Sequence, residues 1–174
     1  MHMGIMEMIR SRRSIRKYKP TSVEDEKLKT VLEAAGWAPS AGNRQPWEFI
    51  VVKDPSIRRR IADIAPYGRF IAEAPVMIAV VVNPEKDRTH CIEDGAIATT
   101  HIMLAAYALD LGTCWVGAFG SAYEDDAKRV LGVPPNLRVL SLVSLGYPAE
   151  ERTSTRKDLG EIVHYEKYEQ KTVR

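Results

Sequence analysis

The run Val76-Met77-Ile78-Ala79-Val80-Val81-Val82, stopped by Asn83-Pro84, constrains this chain more than any other segment. An apolar run without polar alternation reads as a strand covered on both faces. The sheet it joins therefore needs a layer on each side. Three more segments read as strands: Trp47 to Val52 before the turn Lys53-Asp54-Pro55, Thr113 to Phe119, and Leu137 to Leu145. Helical patterns fill the intervals. They cover residues 4–12, a stripe of Val23, Leu28, Val31, Leu32 and Ala35 opened by Ser22 as N-cap, a basic helix over 55–65, a long helix over 88–111 closed by Gly112, and Ala122 to Leu131 stopped by Gly132. The order ααβαβαβαβ makes an α+β (mixed α/β) chain, and 174 residues suit one domain spanning 1–174.

The long helix spreads Ile92, Ala96, Ile97, Leu104, Ala105 and Ala108 around most of its circumference, which predicts burial. Residues 149–174 are rich in charge and carry only a small apolar patch at Ile162, Val163, Tyr165 and Tyr168. Such a tail has no core of its own and is expected to lie across another surface or extend a sheet. A net charge of +2 supplies no general attraction to nucleic acid. Cys91 and Cys114 lack the spacing of a zinc or iron–sulfur site, so no metal is expected and both read as buried thiols. No apolar stretch is long enough for a membrane span, and the expected location is cytoplasmic.

No Walker A, GxGxxG, GxSxG or HExxH motif is present. His90 and His101 read as capping or core groups rather than ligands. Two segments carry chemistry. Arg12-Arg13-Ser14-Ile15-Arg16 concentrates guanidinium and hydroxyl donors that match phosphate oxygens, although the same cations could solvate a helix C-terminus. Ala38 to Trp47 combines small residues, which let backbone approach a flat ligand, with the amides of Asn43 and Gln45. The competing reading there is an ordinary proline-bracketed turn.

Together with Gly112-Thr113-Cys114-Trp115-Val116-Gly117 and with Gly146-Tyr147-Pro148 followed by Arg156, these segments resemble the FMN-dependent nitroreductase family over nearly the whole chain. The resemblance implies a central mixed sheet flanked by helices, in an intertwined homodimer whose C-terminal tails exchange a strand. Arg12, Arg13, Ser14, Arg16 and Arg156 would hold the FMN phosphate and ribityl chain. Pro39, Ser40, Ala41 and Asn43 of the other subunit would line the ring, with Gln45 beside them. The backbone of Trp115, Val116, Gly117 and Ala118 would face the ring near N5, where some members carry an acidic residue that this chain lacks.

The implied activity is NAD(P)H-dependent reduction of nitroaromatic, quinone or related small acceptors, by ping-pong hydride transfer through flavin N5 with no catalytic side chain. Lys17 or Arg44 could supply positive charge near N1 and O2. Same-fold alternatives are a flavin destructase, a dehalogenase or an azoline dehydrogenase. Outside enzymes, the basic run and Arg58-Arg59-Arg60 leave a phosphate- or RNA-binding module open, which steep salt dependence would reveal.

Overall fold

The computed structural model describes residues 4–171, so the ends of the expected 1–174 domain and of the 149–174 tail lie outside the described residues. Four strands, β1 (Trp47–Val52), β2 (Val76–Val82), β3 (Gly112–Gly117) and β4 (Arg138–Gly146), form one sheet in the order β1-β2-β4-β3. The helices are α1 (Ile5–Ser11), α2 (Asp25–Gly36), α3 (Pro55–Ile64), α4 (Cys91–Ala108), α5 (Glu124–Leu131) and α6 (Leu159–Ile162).

The unbroken apolar run is β2, buried at every position. Its residues alternate between two cores. Val76, Ile78, Val80 and Val82 pack with Val31 and Ala35 of α2 and with Ala98, Ile102 and Ala106 of α4. Met77, Ala79 and Val81 pack on the opposite face with Ile61 and Ala62 of α3 and Ala127 of α5. Each fully buried Val or Ile contributes about 1.5–3 kcal/mol relative to exposure, so losing either layer would unmake the sheet.

Two-sided burial here does not come from parallel strands. Every neighbouring strand pair is antiparallel, and the mixed character is confined to one parallel bridge between Ser14 and Thr113. Helical connections cover both faces, and that coverage is what a strand without polar alternation requires.

Several ends differ from the sequence reading for local reasons. α2 starts at Asp25, and its N-cap is Glu24 rather than Ser22. The Glu24 carboxylate accepts from Tyr147 Oη at 2.8 and 2.9 Å instead of capping the helix. α4 ends at Ala108, and the reversal falls to Asp110 in the left-handed region (φ 63°). Gly112 is therefore strand, and its missing side chain admits Ile15: a Cβ there would lie 2.8 Å from Ile15 Cγ1. Gly132 does close α5, at φ 69°. The turn at Asp54 is also a cap, its carboxylate accepting from Ser56 N and Ile57 N.

α4 buries one stripe, Cys91, Asp94, Gly95, Ala98, Thr99, Ile102 and Ala106, and leaves Ile97 exposed. The described part of the tail is almost wholly exposed and holds no strand; its regular element is α6, opened by a reciprocal Asp158–Glu161 capping box.

Candidate functional site

Residues 12–19 lie between the start of β3 and the chain leaving β4. Ile15 N donates to Thr113 O, Lys19 N to Tyr147 O, and Ala149 N to Lys17 O, each at 2.9 Å. The buried side chains of this segment are Ile15 and Tyr18, which pack with Ala74 and Phe70. Tyr18 Oη lies 2.6 Å from both Ile15 O and Ser144 Oγ, and burial raises the phenol well above its ordinary pKa, so it stays protonated. With Ile15 and Tyr18 turned inward, the arginines of the segment gather on the outside.

They line a cleft of about 320 Å³ formed by Arg12, Arg13, Ser14, Arg16, Arg152, Thr153, Ser154 and Arg156. Arg152 escaped the sequence reading because it sits in what reads as a solvated charge run. The lining holds five guanidiniums and no carboxylate. Arg12 Nη1 and Arg13 Nε are buried without a hydrogen-bond partner. Burial first, then the charges of Arg13 and Arg156, pull the Arg12 guanidinium below its usual pKa. An arginine does not give up its proton in this range, so the shift expresses an uncompensated cation. The helix-solvation reading accounts for part of Arg13, whose Nη1 donates to Arg10 O and Arg12 O at 2.6 and 2.8 Å. It leaves the orphaned donors unexplained, and those fit a multivalent oxyanion such as a phosphate.

The second predicted segment lies elsewhere. Its backbone enters the left-handed region at Gly42, Asn43 and Gln45 (φ 57°, 54° and 48°). The loop is held by Gln45 N donating to Ser40 Oγ at 3.0 Å, by Ala41 N donating to the buried Asp94 carboxylate at 3.2 Å, and by Arg44 pairing with buried Asp87 at 3.0 Å. Backbone hydrogen bonds from His90 and Thr89, working against burial, keep the Asp87 carboxylate below its usual pKa, so Arg44 has a charged partner. Pro39 and Asn43 are exposed, Ser40 and Ala41 partly buried.

This loop adjoins the Trp47–Val82 end of the sheet, where Asn83 N donates to Pro46 O, whereas the arginine cleft adjoins the Gly112–Gly146 end. Within one chain the loop and the cleft are separated by the length of the sheet.

β3 is an edge strand. Thr113 O accepts from the 12–19 segment, while Ala118 N donates to Leu140 O at 3.0 Å. Strand alternation then turns the backbone of Trp115 and Gly117 to the open edge and that of Val116 and Ala118 toward β4, where both are buried. Cys114 is buried as well, and burial pushes its thiol up, which suits packing rather than nucleophilic work. His101 Nδ1 lies 3.0 Å from Ala34 O, a core hydrogen bond. Arg58 is buried and donates to Lys53 O, so Arg58-Arg59-Arg60 does not present three cations to one surface.

The loop after β3 is anchored by Glu124. Its carboxylate takes two bonds from Arg138 at 2.6 Å, one from Gly120 N at 2.8 Å and one from Val139 N at 3.2 Å. Burial pushes the Glu124 pKa up, but these donors outweigh it and hold the group below its usual value. A carboxyl depressed in the folded state stabilises the fold above its unfolded pKa of about 4.3, and that contribution is lost as the pH falls through the lower folded value. Urea midpoints measured from pH 7 down to 3 are expected to fall more steeply for the wild type than for Glu124→Gln, which cannot titrate there; parallel curves would show that Glu124 contributes no such linkage.

Among the described residues no helix is long and apolar enough to cross a membrane. The Nitroreductase family profile matches residues 9–147. A candidate NADH dehydrogenase/NAD(P)H nitroreductase of Archaeoglobus fulgidus is 38% identical over 84% of this chain and 87% of its own length. A structure of the same description from Parabacteroides distasonis superposes with a TM-score of 0.91 at 29% identity, covering 94% of this chain and 98% of the other. An FMN-dependent nitroreductase of Clostridium difficile does so at 0.87 and 34%, covering 94% and 99%. More distant relatives carry other names, among them 5,6-dimethylbenzimidazole synthase of Rhodospirillum rubrum at 26% identity over 85% of this chain and 83% of its own length, and mouse iodotyrosine deiodinase 1 at 24% over 90% and 67%. With the matched region running from α1 to the end of β4 and enclosing the arginine segment, the loop over 38–47 and the edge strand, the chain belongs to the nitroreductase family of oxidoreductases.

Proposed function

We propose that this chain binds FMN as a homodimer and uses NAD(P)H to reduce small acceptors of the nitroaromatic or quinone type. The observation that carries the reading is the arginine cleft with its buried, unpartnered donors. Arg12, Arg13, Ser14, Arg16 and Arg156 take the phosphate and ribityl chain, joined by Arg152. Pro39, Ser40, Ala41 and Asn43 of the second copy line the ring, because the sheet keeps the two groups of one chain apart. The exposed Leu159, Ile162 and Tyr168 of the tail support pairing with that copy.

When bound, FMN supplies the hydride chemistry that no side chain here provides. The protein's part is placement. The edge groups of Trp115 and the N–H of Gly117 offer backbone hydrogen bonds to the ring, the Gly117 carbonyl accepting from Tyr123 Oη, with Val116 and Ala118 packed behind them. Arg44 is committed to Asp87, which leaves Lys17 as the other cation named for the N1 and O2 edge.

The test is spectroscopic. The purified protein is expected to show, or to take up, a two-band flavin spectrum that bleaches with NADH or NADPH in the absence of oxygen and returns on adding a nitroaromatic or quinone. A flavin that stays oxidised with both nicotinamides overturns the donor assignment, and a chain that binds no FMN overturns the cofactor.

A further inference from the structure

Beside five arginines stands one acidic side chain whose role the reading above does not use. Glu150 follows the end of β4 and has its side chain 16% exposed. Its Oε1 accepts Arg16 N at 2.6 Å and Lys17 N at 3.2 Å. Its Oε2 is 3.9 Å from Arg152 Nε, at the outer limit of an ion pair. The carboxylate thus spends its strongest bond on backbone. That bond also holds its pKa below the usual range, so it is charged at neutral pH.

The placement matters because the cleft is made by two stretches of chain with no covalent reason to stay together. One wall is 12–16 and the other 152–156, and both are cationic. Like charges in a small cleft repel each other. The bonds Lys19 N to Tyr147 O and Ala149 N to Lys17 O bring the second stretch alongside the first, and Glu150 adds two charge-assisted bonds at the residue where the walls diverge.

We propose that Glu150 is a positioning residue for the phosphate cleft: it holds the backbone at Arg16 and Lys17 against the wall carrying Arg152 and Arg156, so that the guanidiniums converge on one dianion. The proposal rests on the flavin reading and deepens it. It makes an acidic side chain necessary for gripping an anion, because the lost backbone bonds outweigh the removed repulsion.

Riboflavin has the same ring and ribityl chain as FMN and lacks the phosphate, so it separates the phosphate grip from the rest of the site. Dissociation constants for both are measured by flavin fluorescence on the wild type, Glu150→Ala, Glu150→Met and Glu150→Gln. The wild type is expected to prefer FMN strongly. Glu150→Ala is expected to weaken FMN about tenfold or more, corresponding to the loss of two hydrogen bonds with a charged partner, while riboflavin changes by less than about threefold. Glu150→Gln keeps an acceptor oxygen and is expected to recover most of the preference; Glu150→Met, which fills the same space without an acceptor, is expected to lose it as the alanine variant does and serves if that variant fails to fold.

Equal weakening of both ligands would mark a general structural effect and overturn the proposal. So would an FMN preference that survives the alanine and methionine substitutions, or one that rises because a negative charge has gone. A wild type that binds neither ligand overturns the flavin reading itself and the brace with it, an outcome distinct from loss of the brace alone.

Discussion

Arg12→Ala is expected to abolish flavin retention while leaving the unliganded protein as stable as the wild type or more so. The two effects have opposite signs for one reason. Without an anion, the Arg12 guanidinium is half-buried, carries an orphaned Nη1 and is repelled by Arg13 and Arg156. Removing an uncompensated cation relieves the folded state. With a phosphate bound, the same donor makes a charged, desolvated hydrogen bond, and truncating such a partner costs about 2–4 kcal/mol, roughly 30- to 1000-fold in affinity. FMN at a concentration that just saturates the wild type should raise its unfolding midpoint by mass action and raise that of the variant much less. A variant that keeps its flavin, or whose ligand-free midpoint drops by several degrees, would contradict the assignment of this side chain.

Gly95→Ala is expected to be a severely damaging single-methyl change in the core. α4 crosses the sheet at Gly95 so closely that a Cβ would lie 2.5 Å from Val82 Cγ1 and 2.7 Å from Leu140 Cδ2. Both neighbours are buried side chains of the sheet, with no solvent to retreat into. Alanine regains up to about 1 kcal/mol in helix propensity. Overpacking costs about 1–3 kcal/mol and occasionally more, and contacts this short belong at the upper end. The net expectation is destabilisation by about 2 kcal/mol, read as a lower urea midpoint with an unchanged slope. Because Asp94 is the preceding residue and holds Ala41 N, the strain is expected to reach the loop over 38–47 as well. Flavin affinity should therefore fall along with stability. An unchanged midpoint would mean that α4 has room to lift from the sheet.

The strands and most helices were legible because their signals are local. The unbroken run Val76–Val82 could only be a strand with two covered faces, and Gly132 could stop a helix at φ 69° on its own account. Ends set by distant partners were not legible. α2 starts at Asp25, past Ser22, with Tyr147 holding the carboxylate of its N-cap Glu24, and Gly112 sits in a strand where a Cβ would meet Ile15. Within the site, Arg12, Arg13, Ser14, Arg16 and Arg156 could be named from donor chemistry and from the resemblance, and they share one cleft. Arg152 and Glu150 could not, since in a charged tail nothing local distinguishes a wall residue from a solvated one.

The sequence by itself therefore determined the four strands and the helices between them, the two covered faces of β2, and which residue types could meet an anion and a flat ring, because side-chain volume, periodicity and donor chemistry are written residue by residue. Only the tertiary structure decided that the sheet is antiparallel, that the arginine cleft and the loop over 38–47 lie at opposite ends of it, and that one carboxylate stands behind the arginines on the backbone of Arg16 and Lys17. Those are facts about what meets across tens of residues of chain, or across more than a hundred where Arg16 meets Glu150, and local propensity carries no information about them.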